Sequence, residues 1–283
     1  MAKLLLYISK PVYLPGDIVQ GEVVLQTDKP LNVMQVTVEA SGAEKTVITE
    51  SHGAGKHRHT VTYTEVNTIL NWGAIVGPAG DVPPGEHRLP FELRLPQGAL
   101  PTYRGVQASV FYSLRANADI PMWFDAGQSA ELRVSRDRRA CREDMRPRHF
   151  STKNVDNPAE PGFMAQVNRS TFFLGDFVEG SVTLTSGGGH RIRKATVKLC
   201  TLETATARGR KAVNVKEMAR QDISGDQLGP ERAAPFRICI PKDPPGSYTV
   251  MYSSLIWLVS INLDVAWAFD VRAAEEIIVY DAV

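Results

Sequence analysis

The sequence predicts an all-β protein made of two tandem β-sandwich domains. Hydrophobic residues recur at every second position, turn-forming residues punctuate these runs, and the second half of the chain repeats the first. Period two puts one side of a strand against a core and the other in water.

The runs succeed one another along the chain. Met34, Val36, Val38 and Ala40 alternate with Gln35, Thr37 and Glu39. Leu89, Phe91, Leu93 and Leu95 alternate with Pro90, Glu92 and Arg94. Segment 211–222 has a weak helical pattern, but Val213 and Val215 favour a strand. Phe236, Ile238 and Ile240 alternate with Arg237 and Cys239. Between the runs stand Pro15-Gly16-Asp17, Pro83-Pro84-Gly85, Pro96-Gln97-Gly98, Ser186-Gly187-Gly188-Gly189 and Pro244-Pro245-Gly246, all turn signals. Short strands with regular turns predict a sandwich or barrel.

The repeat sets the domain count. Leu14–Leu25 lies over Phe173–Leu184 at an offset of 159, with Gly16, Asp17 and Gly21 meeting Gly175, Asp176 and Gly180. Further on the offset is 145: Pro90-Phe91 meets Pro235-Phe236, Tyr103 meets Tyr248, Asn117 meets Asn262, and Phe124-Asp125 meets Phe269-Asp270. A repeat of this length is a whole domain, not a solenoid unit of about 20–50 residues. The expected division is a first sandwich over 1–136, an Arg-rich linker over 137–160 and a second sandwich over 161–283. The repeated Gly-Asp predicts a tight bend, since Gly tolerates positive φ and Asp bonds back to nearby amides. Gly21 and Gly180 then interrupt strands, which predicts a bulge or close backbone approach. All six residues are expected to be structural. Asn117 and Asn262 are expected at turns or strand edges.

Composition excludes several classes. Lys+Arg total 32 against 31 for Asp+Glu, so no global field draws nucleic acid. The three cysteines, Cys141, Cys200 and Cys239, have no CxxC spacing, which argues against a zinc cage or disulfide framework. A reducing compartment is expected. The five-residue run Leu4–Ile8 is shorter than the about 7–15 of a signal-peptide core. The run Leu255–Val259, also five, falls far below the roughly 18–20 that span a bilayer. A soluble, cytoplasmic protein with at most peripheral membrane contact is expected. Neither Gly-x-Ser-x-Gly nor His-Glu-x-x-His occurs, and Gly187-Gly188-Gly189 lacks the Lys-Ser/Thr of a phosphate loop. Neither a catalytic residue nor a cofactor is predicted. Trp123, Phe124, Trp267 and Phe269 are expected in the core, and Cys200 and Cys239 as inert packing thiols.

Several stretches resemble a known family. Tyr13-Leu14-Pro15-Gly16-Asp17-Ile18-Val19-Gln20-Gly21-Glu22-Val23-Val24-Leu25 resembles the opening of arrestin-like amino domains. Pro84–Pro96, then Leu100-Pro101-Thr102-Tyr103-Arg104-Gly105 and Phe111–Ala116, are similar to the later strands of those domains. Phe172-Phe173-Leu174-Gly175-Asp176 resembles the opening of the carboxyl domain. The likeness is strongest to the arrestin-domain-containing (α-arrestin) branch, and more distantly to the retromer cargo-binding subunit and a bacterial sporulation-control protein. It implies two immunoglobulin-like sandwiches with concave faces. It also implies a non-enzymatic adaptor that holds membrane-protein tails and trafficking machinery. Two departures matter. The paired basic residues that signalling arrestins carry after their Tyr-Leu-Gly are replaced by Pro15-Gly16-Asp17. The nearest approach to a Pro-Pro-x-Tyr ligase motif is Pro244-Pro245-Gly246-Ser247-Tyr248, one residue too long, so ligase recruitment by that route is not expected.

Two basic clusters are the candidate partner-binding residues. The first copy's insertion around 42–72 carries Lys56, His57, Arg58 and His59, and the resemblance aligns it with the loop arrestins use to touch receptors. Such a loop gains charge below pH about 6.5. His57 and His59 share one strand side, but no nearby Asp, Glu or Cys completes a metal site, and none is predicted. The linker carries six Arg, including Arg136, Arg138, Arg139 and Arg142, against three acids between 136 and 148. Arg forks suit phosphate and carboxylate. Cys141 lies among them, where a thiol pKa would fall. Protein partners are expected and nucleic acid is not, since aromatic interleaving is missing apart from Phe150. Two rival readings are a prokaryotic regulatory or structural protein without receptor cargo and a metal-dependent enzyme using the His-rich loop.

Overall fold

The computed structural model describes residues 2–53, 55, 58–77, 79–121, 126–153, 156–157 and 159–282. The chain is nearly all strand and divides into two compact units. One holds Met1–Arg138 with Ala207–Arg210, the other Arg139–Thr206 and Lys211–Ala282.

In the first unit, β1 (Lys3–Ile8), β2 (Ile18–Thr27) and β7 (Gly85–Arg94) form an antiparallel sheet in the order β1-β2-β7. A second sheet runs β10-β9-β4-β5, from β4 (Gln35–His52), β5 (His59–Gly77), β9 (Ala108–Asp119) and β10 (Ala126–Leu132), with β8 (Tyr103–Arg104) paired to β9. Two short strands, β3 (Leu31–Val33) and β6 (Gly80–Val82), pair with each other. Alternation decides what each strand buries. Val19, Val23 and Leu25 of β2 and Phe91 and Leu93 of β7 are buried, as are Val36, Val38 and Ala40 of β4 and Tyr112, Leu114 and Ala116 of β9. Burial pushes the Tyr112 hydroxyl pKa up to about 12 while it donates to the Leu100 carbonyl at 2.9 Å. The Tyr112 ring fills the place a side chain at Gly42 would need, 2.4 Å from that Cβ, next to the β-bulge at Gly42/Ala43.

The second unit repeats this plan. One sheet runs β11-β12-β14-β17, from β11 (Arg148–Ser151), β12 (Pro161–Val167), β14 (Phe177–Gly187) and β17 (Ala234–Cys239). The other runs β13-β20-β19-β15-β16, from β13 (Thr171–Phe173), β15 (Ile192–Ala207), β16 (Arg210–Ser224), β19 (Ser253–Val265) and β20 (Val271–Tyr280), with β18 (Tyr248–Thr249) on β19. Their inner faces share one core: Phe163, Val178, Val182 and Phe236 from the first sheet with Val197, Leu199, Trp257, Val259, Ile261 and Val279 from the second. Full burial of one aliphatic side chain stabilises by roughly 1.5–3 kcal/mol, so this layer is the main favourable term.

The repeated Gly-Asp turn has one geometry in both units. Gly16 and Gly175 sit at φ +84 and +89. The Asp17 carboxylate accepts the Leu14 amide at 3.1 Å, and that of Asp176 accepts the Phe173 amide at 3.0 Å. The next strands match as well. Gly21 pairs with Phe91, and Gly180 with Phe236. Each Phe ring lies where a Cβ would stand, at 2.3 and 2.5 Å, so both positions require glycine.

Segment 211–222 lies within strand β16, with Val213 and Val215 exposed. Cys200 is buried as expected, and burial raises its thiol pKa. Other expectations are corrected. Trp267 and Phe269 are not core residues: they are 98% and 97% exposed at the β19–β20 turn, where Trp267 takes φ +63 and the strand alternation ends. Cys239 is exposed, because Phe236, Ile238 and Ile240 take the inner side of β17. Trp123 and Phe124 lie outside the described residues.

Candidate functional site

The first candidate cluster crowns a long hairpin. Strands β4 and β5 pair from Val36↔Gly77 to His52↔His59. Most of the 42–72 insertion is therefore strand, since the ladder continues to His52 and His59. β-Branched residues explain the length, since Thr46, Val47, Ile48 and Thr49 face Glu65, Thr64, Tyr63 and Thr62 across the strands. At the end of the ladder the His52 and His59 rings stack with centroids 5.6 Å apart. His52 Nε2 lies 3.3 Å from a Glu50 carboxylate oxygen. Arg58 and His59 are exposed, and the Arg58 amide donates to the Gly55 carbonyl at 3.3 Å. Lys56 and His57 lie outside the described residues. Among the described residues no group of three metal-ligating side chains comes together.

The second cluster is partly neutralised. Arg138–Ala140 form a 3-10 turn, and Arg138, Arg139 and Arg142 are exposed while Arg136 is half-buried. Asp144 organises the stretch from 142 to 148. It receives Arg146 through Nε at 2.9 Å and a terminal nitrogen at 2.8 Å, and its own amide donates to the Thr171 hydroxyl at 2.6 Å. The Arg146 guanidinium holds the Asp144 carboxyl well below the usual carboxylate range. Ser170 donates its amide to the Asp144 carbonyl at 3.1 Å. The Arg142 carbonyl accepts the Tyr280 hydroxyl at 3.2 Å. This stretch therefore runs along the second unit, and Arg148 opens strand β11, inside the segment expected as linker.

Strand edges bear on how a peptide could pair. Two edges are closed by glutamine side chains: Gln128 Oε1 accepts the Leu6 amide of β1 at 3.0 Å, and Gln221 Oε1 accepts the Arg237 amide of β17 at 2.9 Å. An occupied edge amide is a poor template for another strand. Sequence reasoning missed these caps, since nothing in the residues 128 and 221 marks them beyond their amide chemistry. It also missed a groove of about 460 Å³ lined by Met145, Arg169, Phe172 and Phe177. There Arg169 lies 4.6 Å above the Phe172 ring and donates to Asp176 at 2.7 Å, so its charge is already engaged.

Known proteins are similar to the first part of this chain. Residues 5–139 match the family model described as arrestin (or S-antigen), N-terminal domain. Arrestin domain-containing protein 1 of Rattus norvegicus is 27% identical over 113 residues, which is 40% of this chain and 24% of that protein. Arrestin domain-containing protein 4 of Mus musculus is 30% identical over 135 residues, 44% of this chain and 32% of that protein. The match thus spans a minor part of both relatives' length. The matched stretch contains the Gly16-Asp17 turn, the Gly21–Phe91 pairing and the β4–β5 hairpin, and over it the chain is similar to the arrestin amino-terminal domain.

Proposed function

We propose that this chain is a non-enzymatic adaptor that holds protein partners, as cytoplasmic tails or trafficking components, on its two sandwiches. The observation that carries the reading is the β4–β5 hairpin, a strand ladder ending in exposed Arg58 and His59, within a domain that matches the arrestin amino-terminal model. A stiff ladder presents a cationic tip at low entropic cost, which favours an acidic or phosphorylated segment. Arg138, Arg139 and Arg142 offer a second exposed cationic stretch. The two sandwiches act as duplicated modules whose concave faces and uncapped strand edges receive an extended peptide through main-chain hydrogen bonds. The protein works in the cytoplasm.

Affinity capture from cells tests this. Wild-type chain is compared with a charge-reversed variant carrying Lys56→Glu, Arg58→Glu, Arg138→Glu, Arg139→Glu and Arg142→Glu. Loss of acidic partners from the variant supports the reading; an unchanged partner set removes the basic clusters from it.

A further inference from the structure

We propose that strand β16 is a dimer interface, pairing antiparallel with β16 of a second copy of this chain across a two-fold axis at Asn214. The adaptor reading neither requires nor supplies this. β16 ends its sheet, and β15 is its only strand neighbour among the described residues. Natural sheet edges are blunted by proline, bulges, short length or a covering group. β16 runs for 15 residues without Pro or Gly. Among the described residues, no backbone group from 211 to 217 bonds beyond β15.

The hairpin decides which groups face outward. Arg208-Gly209 joins β15 to β16 as a two-residue turn, at φ +48 and +77. Residues flanking such a turn bond to each other, and bonded and non-bonded pairs then alternate along the ladder. The amides and carbonyls of Lys211, Val213, Val215 and Glu217 therefore point away from β15. Thr206, opposite Lys211, agrees with this phase: its amide turns to the Tyr252 carbonyl at 2.8 Å, on the β19 side.

The stretch Lys211-Ala212-Val213-Asn214-Val215-Lys216-Glu217 is complementary to its own reverse. A two-fold interface needs that property, since residue i must meet j while j meets i. With the axis at Asn214, Val213 meets Val215 and Lys211 meets Glu217, each pair twice. These are the residues whose backbone groups face outward. Val213 and Val215 are 52% and 59% exposed, and β-branched side chains pack well across strands. Glu217 holds Lys198 at 2.6 Å, so the second copy's lysine completes a network of alternating charge. An axis at Val213 instead sets Lys211 against Val215 and Lys216 against Arg210, which is repulsive. The pattern therefore selects a second copy over an unrelated strand.

The full chain is tested by sedimentation velocity over a dilution series. Wild type shows a concentration-dependent species at twice the chain mass. Lys211→Glu sets two pairs of like charges across the interface and weakens dimerisation about tenfold. Val215→Pro removes an outward amide and spares the β15 ladder, so the dimer is lost while the far-UV circular dichroism stays that of wild type. Asn214→Cys forms an intermolecular disulfide on mild oxidation, above the wild-type background, because residues facing each other on the axis are within disulfide reach. A single monomeric wild-type species across the series overturns the proposal and leaves the edge to a strand of another protein. A dimer unchanged by both Lys211→Glu and Val215→Pro also overturns it, and a dimer that Asn214→Cys does not cross-link refutes the axis. None of these variants alters the basic clusters tested by partner capture, so the two proposals fail separately.

Discussion

Gly180 sits in the middle of β14, where a residue with a side chain would normally be favoured. Substituting alanine removes freedom from the unfolded chain, which alone would stabilise by about 0.4–1 kcal/mol. The folded state opposes this. A Cβ at residue 180 would stand 2.1 Å from the Gln166 carbonyl oxygen and 2.5 Å from the Phe236 ring. A ring can tilt away, but the carbonyl belongs to β12, which pairs with β14 through Gln166↔Ser181 and Val167↔Gly180. Moving it disrupts the ladder, at about 0.5–1.5 kcal/mol per hydrogen bond, on top of overpacking at about 1–3 kcal/mol. Gly180→Ala is expected to destabilise by about 2–4 kcal/mol, lowering the melting temperature of the second unit by about 6–15 °C. Gly21→Ala meets the Phe91 side chain first, at 2.3 Å, and the Tyr7 carbonyl at a longer 2.6 Å, against 2.1 Å for the carbonyl at Gly180, so its loss should be smaller. Scanning calorimetry of both variants checks the reasoning. A Gly180→Ala protein melting within about 2 °C of wild type, or a larger loss at Gly21, would refute it.

Three further outcomes are expected. Gly98→Ala meets nothing within 4 Å at ordinary φ, so calorimetry should show a gain of about 0.4–1 kcal/mol; a loss would mean that the turn needs a backbone state open only to glycine. Because the folded Asp144 carboxyl pKa is depressed, its pairing with Arg146 is complete above the ordinary value near 3.8 and is lost only as pH falls below that. An NMR titration of the Arg146 Nε–H should therefore hold its paired position through pH about 4, and a midpoint above that would contradict the pairing. Gln221→Ala uncovers the Arg237 amide on an edge strand, which should cost about 0.5–1.5 kcal/mol and promote concentration-dependent association by light scattering.

Much of this architecture was legible in the residues. The alternation at 34–40, 89–95 and 236–240 marks β4, β7 and β17, with the even positions 36, 38 and 40 buried as it requires. The shared Gly-Asp and Gly-Phe pairs foretold matching turns, because only glycine tolerates φ near +85 and a ring stacked on its own Cα. Where identity was weighed above parity, the reading failed. Cys239 stands out of step with Phe236 and Ile238, so its exposure followed from period two, although cysteine is usually buried. Trp267 and Phe269 do keep the odd-numbered phase that buries Trp257, Ile261 and Val265, but the strand ends at Val265 and the turn carries them out of the sandwich. The basic clusters were visible as composition alone. The closing of β1 by Gln128 and of β17 by Gln221 joins residues that no local pattern connects, through geometry that only the folded sheets create.

The three residues of β13 lie parallel to the end of β20, Thr171–Phe173 beside Ile278–Tyr280. In the first unit Tyr13 bridges Val134 in the same parallel sense. Each sandwich is thus clasped by a parallel pairing between an early and a late segment. During synthesis the clasp of the second module can form only after the ribosome has delivered residue 280. The first can close once residue 134 is available, so the order of translation gives the nascent chain a finished module to carry while its twin is still being made.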